Sequence, residues 1–182
     1  MIIRPAHVED APAMGRVMVD TFLAAHHGQM PEEAWQKRKA EWTYDVSASG
    51  WARTIAEIND GNDAECIYVA VTEGDEVVGL AMGHPAEGMT QTGEVVALYV
   101  RQAYQGQGIG RQLVQAVAVH LATTGITTLH IAVLAANTPA RRFYAAIGGQ
   151  VVGEREFDEE GFLLPEVVYG WPDITMFLDA VP

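Results

Sequence analysis

Cysteine is almost absent. Cys66 is the only one in 182 residues, so neither an intrachain disulfide nor a cysteine-built zinc site is available. Basic residues are scarce as well: 11 Lys and Arg stand against 24 Asp and Glu, for a formal net charge of −13. Such a chain is repelled by nucleic acid and by anionic membranes and favours cationic ligands. No apolar run approaches the ~20 residues that span a bilayer. The start, Met1-Ile2-Ile3-Arg4-Pro5, lacks the basic segment and long apolar stretch of a signal peptide, so a cytoplasmic protein is expected. Repeats, low-complexity stretches and domain-splitting linkers are missing too. No metal-ligand spacing occurs. The adjacent pair His26 and His27 points two ways on a helix and lacks carboxylate support.

What is present describes one soluble domain over residues 1–182, with 49% hydrophobic and 19% charged residues, enough for a real core. Ile2 to Pro5 reads as a first strand. Val8, Met14, Val17, Met18 and Phe22 follow helical spacing up to His26-His27-Gly28, and Pro31 opens a second helix carrying Trp35 and Trp42. A third helix is expected around Trp51 to Ile58. The period then changes. Cys66–Val71 and Val77–Met82 flank a hairpin turn, and Val95–Val100 is the next strand. Helix Gly110–Ala122, strand Leu129–Leu134 and helix Thr138–Ile147 follow. Two closing strands, with Val151 to Phe157 in the first and Glu166 to Trp171 in the second, surround an acidic loop. The order predicts a mixed α/β fold. Cys66 lies in an apolar strand and reads as a buried, inert thiol.

The most informative stretch is Gly93 to Gly110, GEVVALYVRQAYQGQGIG. A short apolar strand leads into a polar corner, and three alternate glycines open a helix. Glycine permits a turn and a close approach that a Cβ would block. The helix start offers unpaired N–H groups and the positive end of a dipole, so the corner suits a phosphate. The spacing is not the G-x-G-x-x-G of dinucleotide sites, and no acidic residue ends the next strand. Gly110-Arg111-Gln112 does not complete a P-loop either.

Gln105-Gly106-Gln107-Gly108-Ile109-Gly110 resembles the Q/R-x-x-G-x-G/A signature of the GCN5-related N-acetyltransferases. Leu98-Tyr99-Val100-Arg101 looks like that family's fourth strand. A second motif follows in the right order: Asn137-Thr138-Pro139-Ala140, then Phe143-Tyr144, then Gly148. The resemblance covers Cys66 to Gly153, and more weakly Ile2 to Phe22. It implies a mostly antiparallel mixed sheet of six to seven strands with helices on both faces. It further implies acetyl-CoA as cosubstrate, its pantetheine arm paired with Leu98, Tyr99 and Val100. The pyrophosphate would lie on the N–H groups around Gln105, Gly106, Gln107, Gly108, Ile109, Gly110 and Arg111, with Arg101 adding charge. The resemblance also implies a general-acid role for Tyr144 on the departing thiolate; the other reading is an amphipathic helix residue packed beside Phe143 with its hydroxyl at the surface. Asn137 is either a helix cap, a contact to the pantetheine or neighbouring strands, or both.

Glu94 stands where some members of that family carry a base glutamate, and burial beside Val95 would raise its proton affinity. An exposed strand-end charge is the other reading. His26, His27, Trp35 and Trp42 either line an acceptor pocket or pack two helices. The acidic stretch Glu154 to Glu160 either draws a cationic amine or is a solvated hairpin. Glu166 to Trp171 is either a subunit contact in a homodimer or the last strand of the sheet. The expected activity is direct acetyl transfer to a primary amine, most readily of a small molecule. A peptide or protein amine, and a non-catalytic acyl-CoA-binding module on the same fold, are the alternatives.

Overall fold

The structure, a computed structural model, describes residues 1–61, 63–159 and 161–178. Seven strands form one sheet in the order β1-β2-β3-β4-β5-β7-β6. They are β1 (Ile2–Pro5), β2 (Cys66–Val71), β3 (Val77–Pro85), β4 (Thr92–Val100), β5 (Thr128–Leu134), β6 (Gln150–Glu159) and β7 (Phe162–Trp171). Every neighbouring pair is antiparallel except β4 and β5. Helices α1 (Ala11–His26), α2 (Glu32–Glu41) and α3 (Tyr44–Asn59) come before β2, α4 (Ile109–Thr123) joins β4 to β5, and α5 (Thr138–Ala146) joins β5 to β6. The mixed sheet with helices on both faces is the architecture expected from the sequence. Among the described residues no helix is long and apolar enough to cross a membrane.

The back face is held by α4. Leu113, Val114, Val117, Ala118 and Leu121 form its apolar stripe, and each is fully buried; complete burial of an aliphatic side chain stabilises by about 1.5–3 kcal/mol. The sheet makes room for the helix. A Cβ on Gly83 would lie 2.3 Å from Val117, and one on Gly93 would lie 2.7 Å from Leu121. On the front, α1 and α3 bury Met14, Val17, Trp51 and Ile55 against Val69, Leu80 and Ala97. A third cluster ties the α1–α2 region to the far half of the sheet through Met30, Ala34, Leu134 and Leu164.

Several expectations need correction. The acidic stretch lies on the β6–β7 hairpin, as the solvated-hairpin reading has it, but the first closing strand runs past Phe157 to Glu159, paired with β7 from Gly153↔Val168 to Glu159↔Phe162, while Glu160 lies outside the described residues. Charges are tolerated there because β6 is an edge strand, mostly exposed. The strand Glu166 to Trp171 is flanked by β5 and β6, so it offers no free edge to a second subunit. The third helix starts at Tyr44 rather than near Trp51, because the Thr43 hydroxyl accepts from the Val46 N–H and caps it. Strand β4 begins at Thr92, so Glu94 is inside the ladder and not at its start. Cys66 is buried as expected, and burial pushes its thiol up to about 12.

Candidate active site

The sheet forks at its centre. Strand β4 pairs with β3 along its whole length, from Pro85↔Gly93 to Gly79↔Val100. With β5 it pairs only at Thr92↔Thr128, Gly93↔Leu129 and Glu94↔His130. Beyond His130, β5 continues along β7 instead. The divergence coincides with a β-bulge: Met82 faces Ala97 and Gly83 faces Val95, leaving Val96 unopposed and 46% exposed. Bulges bend a strand and strengthen its twist. From Val95 to Val100, therefore, β4 has no strand partner on the β5 side. A row of main-chain groups without a ladder is a template for an extended ligand that pairs like a strand.

The open edge runs directly into the glycine corner. Arg101 begins a 3-10 turn over Gln102–Tyr104, Gly106 and Gly108 take φ of 74° and 82°, and Gly108 caps α4. The first helical bond is donated by the Gln112 N–H to the Gly108 carbonyl. The backbone N–H groups of Gly106 to Arg111 therefore have no partner among the described residues. Six such donors beside a helix N-terminus form an anion cradle. Both left-handed glycines are open on the side where a Cβ would stand, with nothing nearer than 4.0 Å. Gly110 is needed for packing, since a Cβ there would lie 3.1 Å from the Phe143 ring. The Arg111 side chain is exposed. Arg101 instead pairs with Glu76 at the β2–β3 turn, which also accepts from the Tyr104 hydroxyl. Gln105 turns back to donate to the Val100 carbonyl at 2.9 Å, and Gln107 donates to Ala103.

Across the fork, Asn137 accepts from the Ala140 N–H and caps α5. Its role as a helix cap is thus observed, and its amide N–H groups have no partner among the described residues. Tyr144 is buried, with its ring 5.7 Å from Tyr169 and at 85° to Trp171. Its hydroxyl makes no hydrogen bond among the described residues. Burial, reinforced by the nearby Tyr99 phenol, raises its proton affinity, so Tyr144 is a protonated phenol at neutral pH. Tyr99 is pushed up to about 12 by burial.

On the front face, Glu94 is only 16% exposed and bonds Arg155 of β6 at 2.9 Å; Arg155 bonds Glu166 of β7 at 2.8 Å. Burial works against the Arg155 charge, but its bonds to Glu166 and the field of Glu94 outweigh that and hold the guanidinium protonated. Higher on the same face Arg38 of α2 pairs with Glu159, which is 1% exposed. Tyr99 senses both of these charges. The aromatic residues around them pack: His26 stacks on Phe22 at 4.1 Å, Trp42 meets Phe22 edge-on, and the Trp35 indole donates to the Leu23 carbonyl. Glu159, in the acidic stretch, and Glu166 beyond it were weighed from sequence as attractors of a cationic amine, whereas Arg38 and Arg155, and the ion pairing itself, were not picked out. No signal is available, because the Arg38–Glu159 partners lie 121 positions apart.

An edge opened between two strands, an N–H cradle at its end and a buried phenol suit an extended ligand that carries a phosphate. The Acetyltransferase (GNAT) family model matches residues 29–148, and the chain belongs to that family. It is 28% identical over 175 residues to the uncharacterized N-acetyltransferase YuaI of Bacillus subtilis (strain 168), covering 95% of this chain and 94% of that one. It is 35% identical over 127 residues to the peptidyl-lysine N-acetyltransferase YjaB of Salmonella typhimurium, covering 69% and 79%. Among solved structures, the PaiA N-acetyltransferase of Thermoplasma acidophilum, in complex with coenzyme A, shares the fold. Its TM-score is 0.69 at 17% identity, over 91% of this chain and 96% of that one. The protein is an N-acetyltransferase.

Proposed function

We propose that this enzyme transfers acetyl from acetyl-CoA directly to a primary amine, preferentially that of a small molecule. The observation that carries the reading is the continuity of the open β4 edge with the six unpartnered N–H groups at its end. An arm that pairs with Leu98, Tyr99 and Val100 delivers its diphosphate to the stretch from Gln105 to Arg111. Acetyl-CoA supplies an activated thioester, and the protein's residues orient it and manage protons.

Main-chain N–H groups of the bulged β4 polarise the acyl carbonyl. Glu94, at the vertex of the fork, accepts the proton that the amine must lose. Its ion pair with Arg155 holds the carboxylate in position on the front face. Tyr144 donates its phenolic proton to the leaving sulfur, which suits a phenol whose burial keeps it protonated. Asn137 keeps its amide hydrogens for the pantetheine while its carbonyl caps α5. No side chain forms a covalent acyl intermediate; Cys66 is buried under a raised thiol pKa.

The enclosure of the front face by α2 and the β6–β7 hairpin supports a small amine as acceptor. A peptide lysine is the second reading, favoured by the likeness to YjaB. A panel of small amines and lysine peptides, followed by release of free CoA thiol, tests both. Turnover of peptides alone reverses the preference. Acetyl-CoA binding with no turnover of any amine overturns the enzymatic mechanism in favour of a binding module.

A further inference from the structure

Glu94 does not stand alone on its face of the sheet. His84 of β3 is its direct antiparallel partner, and His130 of β5 its direct parallel partner. Residues paired in this way point to the same side, with Cβ atoms about 4.5–5.5 Å apart. That side is the front, because the flanking Gly83, Gly93 and Leu129 face α4 or the core behind it. His84 and His130 therefore flank Glu94 in the sheet, one ladder position to each side, with no hydrogen bond between either ring and the carboxylate among the described residues.

The two imidazoles differ. His84 Nδ1 lies 2.8 Å from the Pro85 carbonyl. A carbonyl only accepts, so Nδ1 carries the hydrogen and Nε2 is left with a free lone pair. No carbonyl holds His130 in this manner among the described residues; its ring instead lies over Gly170, where a Cβ would come within 3.2 Å of it. The charges facing this row are Glu94, Arg155 and Glu166, with Glu65 one register step beyond β2. In α1, which packs over β3 and β4, Asp20 bonds Tyr44 and Arg16 lies over the Tyr44 ring.

We propose that His84 is a second proton carrier, taking from Glu94 the proton that Glu94 takes from the acceptor amine. The inference rests on the role given to Glu94 above. Arg155 occupies one Glu94 oxygen, so a proton taken up there needs an onward acceptor on the same face before the next turnover. In the first transfer an ammonium N–H bond breaks and a Glu94 O–H bond forms. In the second, relayed by a bridging water, that O–H bond breaks and an Nε2–H bond forms, after which the imidazolium releases the proton to bulk water. No oxidant, reductant or metal is involved.

Steady-state kinetics on the full chain, with an amine that the wild type acetylates, test this. His84→Asn keeps an N–H for the Pro85 carbonyl but has no basic nitrogen in place of Nε2. Its kcat falls about 100-fold, the low end of what a positioned proton acceptor contributes, while the KM for acetyl-CoA stays within about twofold. His84→Ala falls similarly, and added imidazole restores much of its kcat but none of that of Glu94→Gln. An unchanged kcat in His84→Asn overturns the proposal, as does a His84→Ala protein that binds acetyl-CoA yet is not rescued. If His84→Ala does not fold, His84→Asn decides alone. A wild-type chain that acetylates no amine overturns the parent mechanism and this one with it; turnover with an indifferent His84 overturns this one only.

Discussion

The two sides of the fork are built from different materials. The side proposed to receive the cosubstrate is mainly backbone: an unpaired strand edge, two left-handed glycines and a run of N–H groups without partners among the described residues, within one continuous segment, Val95 to Arg111. The side proposed to receive the acceptor is made of side chains from three strands and one helix. Glu94, Arg155, Glu166, Arg38 and Glu159 come from β4, β6, β7 and α2, and Tyr99 reaches forward from β4 between them. A backbone site accepts the same ligand whatever the side chains do, provided that the glycines stay. A side-chain site changes its ligand with each substitution. The contrast places fixed cosubstrate chemistry beside adjustable acceptor choice.

Four experiments strain that contrast, in descending order of effect. Tyr144→Phe removes the proton donor without disturbing the packing against Tyr169 and Trp171. Its kcat falls by about 100-fold to 1,000-fold, within the usual range for a positioned acid, with acetyl-CoA affinity unchanged by calorimetry. Equal losses in affinity would make Tyr144 part of the cosubstrate site instead. Glu159→Gln leaves Arg38 without its carboxylate. It costs about 2 kcal/mol in urea unfolding, less than a fully buried pair would lose because Arg38 keeps some water contact. Its KM for the amine rises, and that for acetyl-CoA does not.

Gly108→Val forces a β-branched residue into φ of 82°, a strain of about 1–2 kcal/mol. Acetyl-CoA binding weakens about tenfold, and the KM for the amine is unaffected. A variant that changes both constants would show that the two sides are coupled. The smallest effect is a control remote from the fork. Asp10 bonds Arg4 through two oxygens at 2.7 and 2.9 Å. Burial disfavours its charge, but Arg4 and the His7 N–H more than compensate and hold its carboxyl below the ordinary range. A lowered folded-state value gives stability that is complete above the ordinary carboxylate range and lost as pH falls through the folded value. Asp10→Asn therefore costs about 1 kcal/mol at neutral pH, the difference vanishes in acid melts, and both kinetic constants stay put.

The same division governs how much was legible beforehand. The cosubstrate side is local in sequence, so spacing alone exposed it: Gln105 to Gly110 follows β4 by a few residues and opens α4, and Asn137 and Tyr144 share one short helix. Strand β2 was placed to the residue because its apolar run is bounded by polar turns. The acidic segment was legible as a solvated hairpin, but how far its first strand runs was not, since a charged edge strand and a loop have the same composition and only pairing with β7 separates them. Glu94 was visible as a residue but not its partner Arg155, which joins it from 61 positions further on.

The glycine corner and the α5 motif by themselves pointed to the family, which the family match bears out, and to an anion-binding helix start, because those features act through neighbouring residues and main-chain geometry. Tertiary structure alone decided where β4 parts from β5, which charges meet on the front face and which nitrogen of His84 is free. Those outcomes depend on strand order and register, which bring distant residues within bonding distance and leave no trace in local spacing.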